Sequence, residues 1–296
     1  MLRRNLAWLL ASFACLAVTL PIAACGPSSS SAQRDQGTVS AEQDATSGQP
    51  EGPTIAIGVA ADQPGFGVWR NGGYSGFDVD VARYVANALG YADKQIVFKQ
   101  VTPSTRVDML NNATVQMVVS SFNVTDVHRN EVAMTGPYLV VHQDLLIRAD
   151  EVGAITGLDD MSGRTACVVS GSDVADSIRS QASDVTIELR DNYDQCVTSL
   201  MVGSSDAIAA GDAILTGLAS AKGNGYLHVV GNPFGREHYG IAVKKGSTKL
   251  AENIAGILDT MIRDGSWDDA RTRLYDSIGY LSDSSLNPPD PTYGVV

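Results

Sequence analysis

Between residues 54 and 275, short apolar, β-branched runs alternate with longer segments whose apolar residues recur every three or four positions. The first kind is too short for a helix and reads as buried strand; the second reads as amphipathic helix. Strands are predicted at 55–60, 96–101 and 115–119. Gly76-Phe77-Asp78 opens a helix with Val81, Tyr84, Val85, Ala88 and Leu89 on one face and Gly90 as its stop. Thr102-Pro103 caps a second helix that runs to about Leu110. A long strand follows over 139–147, then a turn-rich passage over 157–163. A second set repeats the first: strand 165–169, helix 174–182 and strand 185–189. Next comes a helix with Tyr193, Cys196, Val197, Leu200 and Met201 on one side, then strands near 206–210 and 227–230. Residues 239–243 form one more strand. Helices at 250–262 and about 266–275 precede a proline-containing tail. This alternation predicts an α/β protein of two similar lobes joined by crossover strands near 139–147 and 239–243.

The chemistry concentrates on residues 115–138. The strand there ends in Ser120-Ser121-Phe122-Asn123, and Thr125-Asp126 caps a short helix behind it. Hydroxyls and free N–H groups at a strand's C-terminal end, facing a helix N-terminus, are where α/β proteins hold small polar ligands. An ordinary strand–turn–helix with solvated serines fits the same residues.

The N-terminus changes the setting. Residues 1–24 carry two charges, Arg3 and Arg4, ahead of an apolar run, and read as a secretion signal. Ile22-Ala23-Ala24-Cys25 resembles a bacterial lipobox, which implies diacylation of Cys25. Secretion without lipid, or an uncleaved anchor, are the competing readings, although the apolar run is short for a span. Residues 26–53 hold one bulky apolar side chain, Val39, and read as a disordered tether. The chain has 21 basic and 33 acidic residues; losing the leader leaves 19 basic residues and a net charge of −14. No basic stripe exists for nucleic acid, and no draw toward anionic lipid. Of four cysteines, Cys15 leaves with the leader and Cys25 carries the lipid. Cys167 and Cys196 remain, read as one disulfide or as two buried thiols.

From Thr54 to about Tyr275 the chain resembles the family 3 extracellular solute-binding proteins of amino-acid ABC transporters, most of all the glutamate-binding lipoproteins. The residues that carry this are Asp62-Gln63-Pro64-Gly65-Phe66-Gly67, Tyr74-Ser75-Gly76-Phe77-Asp78-Val79-Asp80-Val81-Ala82, Gly136-Pro137-Tyr138 and Gln143-Asp144-Leu145-Leu146-Ile147-Arg148. In the second lobe they are Cys167 before Gly171-Ser172, Asp212-Ala213-Ile214-Leu215 and Tyr239-Gly240-Ile241-Ala242-Val243. The resemblance implies a type II periplasmic-binding-protein clamshell, each lobe a mixed sheet flanked by helices, with two crossover strands as hinge. Lobe 1 takes residues 54–143 and 241–280, lobe 2 takes 144–240, and 281–296 form the tail. It also implies a monomer tethered to the outer face of the cytoplasmic membrane that hands glutamate, aspartate or glutamine to a permease, without cofactor or catalysis.

In such proteins the ligand carboxylate is gripped by the arginine of a Thr-x-x-Arg turn and by a helix start after Gly-Ser/Thr-Thr. An aspartate before the Ala-Ile-Leu run holds the ammonium. This chain departs at each point. His128 stands at the arginine position with Arg129 one place late, Asp173 stands at the hydroxyl position, and Gly211 stands at the aspartate with Asp212 beside it. Either Arg129 and Asp212 have taken over in a shifted frame, or the ligand is not an ordinary α-amino acid, or the clamshell serves as a docking or sensing subunit. Other candidate ligand contacts are Asp62, Phe66 and Trp69 in the loop before Gly76, together with Ser120, Ser121, Asn123, Gly171 and Ser172. His142, His228 and His238 have no metal-ligand spacing, and structural roles are expected. A dehydratase on the same fold would use Asp173 with His128 as its titratable pair.

Overall fold

Ile55–Val59 (β1) forms the middle of a parallel triad, with Ile55, Ile57 and Val59 fully buried. The computed structural model describes residues 48–292, so the leader, Cys25 and most of the tether lie outside the described residues. Strand β1 pairs in parallel with Ile96–Gln100 (β5) on one side and Met117–Asn123 (β6) on the other. Helices Phe77–Ala88 (α1) and Arg106–Asn111 (α2) make the crossovers, and Asp126–Glu131 (α3) follows β6. The second triad has the same order. Thr165–Val169 (β8) lies between Thr186–Arg190 (β9) and Ala207–Gly211 (β10), with Val174–Gln181 (α4) and Tyr193–Met201 (α5) as crossovers.

Two strands join the triads. Ala133–Arg148 (β7) pairs antiparallel with Gly235–Val243 (β12) along its first part, and with β10 and Leu227–Val229 (β11) along its last. The sheet therefore runs β5-β1-β6-β12-β7-β10-β8-β9 without a break, β11 lying beside β7. This is the two-lobed clamshell. Strand β7 starts six residues before the run expected at 139–147: Ala133, Met134 and Thr135 already pair with β12, and the register then shifts across Gly136-Pro137, where Gly136 adopts φ 110° close to the Gly240 Cα. A small sheet of Asp62–Gln63 (β2), Gly67–Arg70 (β3) and Gly73–Ser75 (β4) stands where the sequence suggested only a glycine-rich loop. Strands of two to four residues leave no readable alternation.

Helices Asp212–Lys222 (α6), Thr248–Arg263 (α7) and Ser266–Ile278 (α8) complete the layers. Trp267 on α8 is buried and donates its indole N–H to the Tyr138 carbonyl at 2.7 Å, pinning α8 to β7. Cys167 on β8 and Cys196 on α5 are disulfide-bonded, their Cα atoms 5.5 Å apart.

The tail after α8 lies along β7. Buried Asn287 accepts from the Val140 N–H at 3.0 Å and donates to the Val140 carbonyl at 2.9 Å. The Gly136 N–H donates to the Pro291 carbonyl at 3.1 Å, and Asp283 faces His142 Nε2 at 3.2 Å. Asn287→Ala strips two partners from a buried backbone unit, which costs about 2 kcal/mol. The expected result is a melting midpoint lowered by roughly 5 °C in a thermal scan; an unchanged midpoint would show that the tail is not part of the folded core.

Candidate functional site

Strand β6 is buried along its whole length, so its polar C-terminal end must find partners inside the protein. Ser121 adopts φ 45°, donates its N–H to the Tyr138 hydroxyl at 3.1 Å, and places its Oγ 3.0 Å from both Gln63 Oε1 and Asp78 Oδ2. Tyr138 Oη donates to Asp78 Oδ1 at 2.7 Å. Burial pushes the Asp78 carboxyl up to about 6, opposed by the bonds from Tyr138 and Ser121. The Ser121 N–H is thus spent within the protein, and the step after β6 presents Asn123 and one side of Ser121 to the cleft.

Above this step lies a narrow cavity of about 20 Å³, walled by both lobes and by β12. Its charged groups are Arg106, Asp173 and Glu237. Arg106 is 3 % exposed, its guanidinium lies 3.5 Å over the centre of the Phe122 ring, and its Nε is buried without a hydrogen-bond partner. No carboxylate among the described residues lies within 4.0 Å of that guanidinium. Burial pulls it down to about 10, against the pull of Asp173 and Glu237. Glu237 is 5 % exposed and accepts from Gln143 Nε2 at 3.0 Å. Burial pushes its carboxyl up to about 7, with Asp173 adding to the rise.

The lobes touch across this cavity. Asp62 accepts from the Tyr193 N–H at 2.8 Å, which satisfies a free donor at the start of α5. His128 Nε2 lies 3.7 Å from Asp173 Oδ1. Gly171, at φ 82°, presses on the Pro103–Ser104 backbone so closely that a Cβ would sit 2.8 Å from it.

The residues singled out by sequence fall into two sets. Ser121, Asn123, Ser172 and Asp173 line the cavity, with His128 and Gly171 at its edge. The others lie elsewhere. Phe66 is a core residue packed edge-on to Phe77 and Tyr239, and Trp69 is 52 % exposed against Tyr74. Ser120 is on the opposite phase of β6 from Ser121 and is buried. Arg129 pairs with Asp126 at 3.2 Å, one helical turn back. Asp212 turns toward the tail, where it accepts from the His142 N–H at 3.2 Å and the Tyr280 hydroxyl at 3.1 Å. A shift of frame onto Arg129 and Asp212 is therefore not how the cavity is built. Arg106, Tyr193, Glu237 and Tyr239 were missed. Arg106 shares the buried face of α2 with Leu110, four positions on, and Glu237 shares the inward phase of β12 with Tyr239 and Ile241. A charge on the apolar phase of an element was the available signal.

Residues 55–276 match the family model for bacterial extracellular solute-binding proteins, family 3. The chain belongs to this family. It is 32% identical over 251 residues to the ABC transporter glutamine-binding protein GlnH of Bacillus subtilis, covering 84% of this chain and 89% of that protein. It is 33% identical over 230 residues to the glutamate-binding protein GluB of Corynebacterium efficiens, covering 73% and 77%. Among solved structures, an ancestral arginine-binding protein bound to glutamine superposes with a TM-score of 0.70 at 27% identity, covering 78% of this chain and all of that one. The solute receptor for L-cysteine of Neisseria gonorrhoeae superposes with a TM-score of 0.71 at 26% identity, covering 79% and 94%. In this family 3 protein, then, the pocket between the lobes has one unpaired buried cation and an excess of carboxylate.

Proposed function

We propose that this protein is the receptor of an ABC importer for a neutral polar α-amino acid, glutamine before glutamate. It is lipid-anchored through Cys25 at the outer face of the cytoplasmic membrane and works as a monomer that delivers ligand to a permease without chemical change. Its lobes comprise residues 54–143 with 241–280, and residues 144–240. The observation that carries the choice of ligand is the charge balance of the cavity: Arg106 alone against Asp173 and Glu237. Arg106 donates to the α-carboxylate. A second ligand carboxylate meets no second cation lining the cavity, and sits among acids. At a separation of ~6 Å and an effective dielectric of about 20, one such repulsion costs about 3 kcal/mol. An amide in its place carries no such penalty. Relatives named for glutamine and for glutamate support the amino-acid class.

Thermal shift at pH 8 tests this. Glutamine at about a hundred times its Kd is expected to add about 2.7 kcal/mol, and glutamate at the same concentration much less. If glutamate raises the midpoint further than glutamine, or if neither moves it at millimolar levels, the reading fails. The His128–Asp173 approach also keeps a dehydratase reading in view; incubation with cyclic carboxylic acids is expected to leave them unchanged.

A further inference from the structure

Glu237 projects from the inner phase of β12 into the cavity, buried, bonded to Gln143 and approached by the Tyr239 hydroxyl, with no cation among the described residues within 4.0 Å. Arg106 lines the same cavity from α2 as a buried cation without an anion in reach. A buried charge left unpaired is unfavourable, and two opposite ones that line one cavity without touching would ordinarily close on each other. Here Phe122 beneath the guanidinium and Gln143 beside the carboxylate hold them apart. Two opposite buried charges lining one cavity suit a molecule that carries both, as an α-amino acid does with its ammonium and carboxylate on one carbon.

The end of β10 makes room for the second pole. A Cβ on Gly211 would lie 3.3 Å from Glu237 Oε2 and would collide with the Tyr239 hydroxyl. The acid reaches this point from β12 because β10 presents no side chain there. Asp173, the other carboxylate, is the weaker candidate: it is a quarter exposed and already faces His128.

We propose that Glu237 is the residue that receives the ligand's α-ammonium group, opposite Arg106. This rests on the amino-acid reading above and adds to it the group that distinguishes an amino acid from a plain carboxylic acid. The substitution Glu237→Gln keeps the shape and a hydrogen bond to Gln143 while removing the charge. Isothermal titration at pH 8 is expected to show glutamine binding weakened at least thirtyfold. Binding of glutaramate, the same molecule without its α-amino group, is expected to change less than threefold. The ligand-free variant is also expected to melt above the wild type at pH 8. A carboxyl whose folded pKa is raised above its unfolded value favours folding below the unfolded value and loses that advantage as pH rises through the folded one. The groups around Glu237 that set this are Arg106, Asp173, Tyr239 and Gln143. Glutamine affinity within threefold of wild type would overturn the assignment. So would equal losses for glutamine and glutaramate, or a lower melting point accompanying the lost affinity, since either marks a structural role. Wild-type protein that binds no amino acid would instead overturn the underlying reading, and this assignment with it.

Discussion

Arg106→Met is expected to weaken glutamine binding at least a hundredfold while leaving the ligand-free protein as stable as the wild type or more so. Methionine keeps an unbranched apolar stem against Phe122, so the packing of α2 on β6 survives. What goes is the guanidinium, which presents donors in a planar fork to a carboxylate inside a cavity shielded from water. Charge-assisted bonds in such a place are worth about 1.5–3 kcal/mol each, and losing a bidentate pair exceeds the 2.7 kcal/mol that a hundredfold requires. The ligand-free protein loses nothing comparable, because the wild-type cation has no anion within 4.0 Å and its burial already disfavours the charge. Arg106→Lys keeps the charge but not the fork and is expected to fall between the two. Titration calorimetry with a parallel thermal scan separates the outcomes. Affinity within tenfold of wild type would place the carboxylate elsewhere, with His128 the next residue to change.

The architecture was legible because strand–helix alternation leaves a strong periodic trace. Both triads were read within a few residues, and both crossover strands were placed although β7 starts six residues earlier than expected. Of the described α-helices only Asp212–Lys222 went unread. Even Thr125 was placed as a cap, and its side chain accepts from the His128 N–H at 3.2 Å. Cys167 and Cys196 were the two cysteines left once Cys15 and Cys25 were set aside, read as one disulfide or two buried thiols, and they are bonded. The site was harder. His128 and Gly211 stand where the family pattern has an arginine and an aspartate, and a residue of each expected type, Arg129 and Asp212, stands one place along. Neighbours one position away point elsewhere: Arg129 lies a hundred degrees round α3 and meets Asp126, while Asp212 is drawn out of the cavity by Tyr280 from a tail more than sixty residues downstream. The charges that face the cavity come from α2 and β12, far away in sequence. They were visible as ionisable residues on buried phases, a signal that gains meaning once the elements are folded against each other.

The disulfide between Cys167 and Cys196 sets the largest stability effect. The bond closes a loop of 29 residues, for which the chain-entropy account gives about 3.6 kcal/mol at 25 °C. Both sulfurs sit in the main core, fully buried, so Cys167→Ala with Cys196→Ala also removes packed atoms from the contact of α5 with β8. The expected result for the double variant is an unfolding free energy lower by about 4 kcal/mol and a midpoint lower by roughly 10 °C. Binding should suffer less. The bond fixes α5 to β8, and these elements carry Tyr193 and, just past β8, the Ser172 and Asp173 wall of the cavity. Neither Arg106 nor Glu237 depends on that contact, since one stands on α2 and the other on β12. Glutamine affinity at a temperature where both proteins are folded is therefore expected to drop less than tenfold. A midpoint within 2 °C of wild type would show that the core at this contact holds without the cross-link. A loss of binding greater than that of Arg106→Met would mean that the second-lobe wall, rather than the two charged poles, dominates the grip.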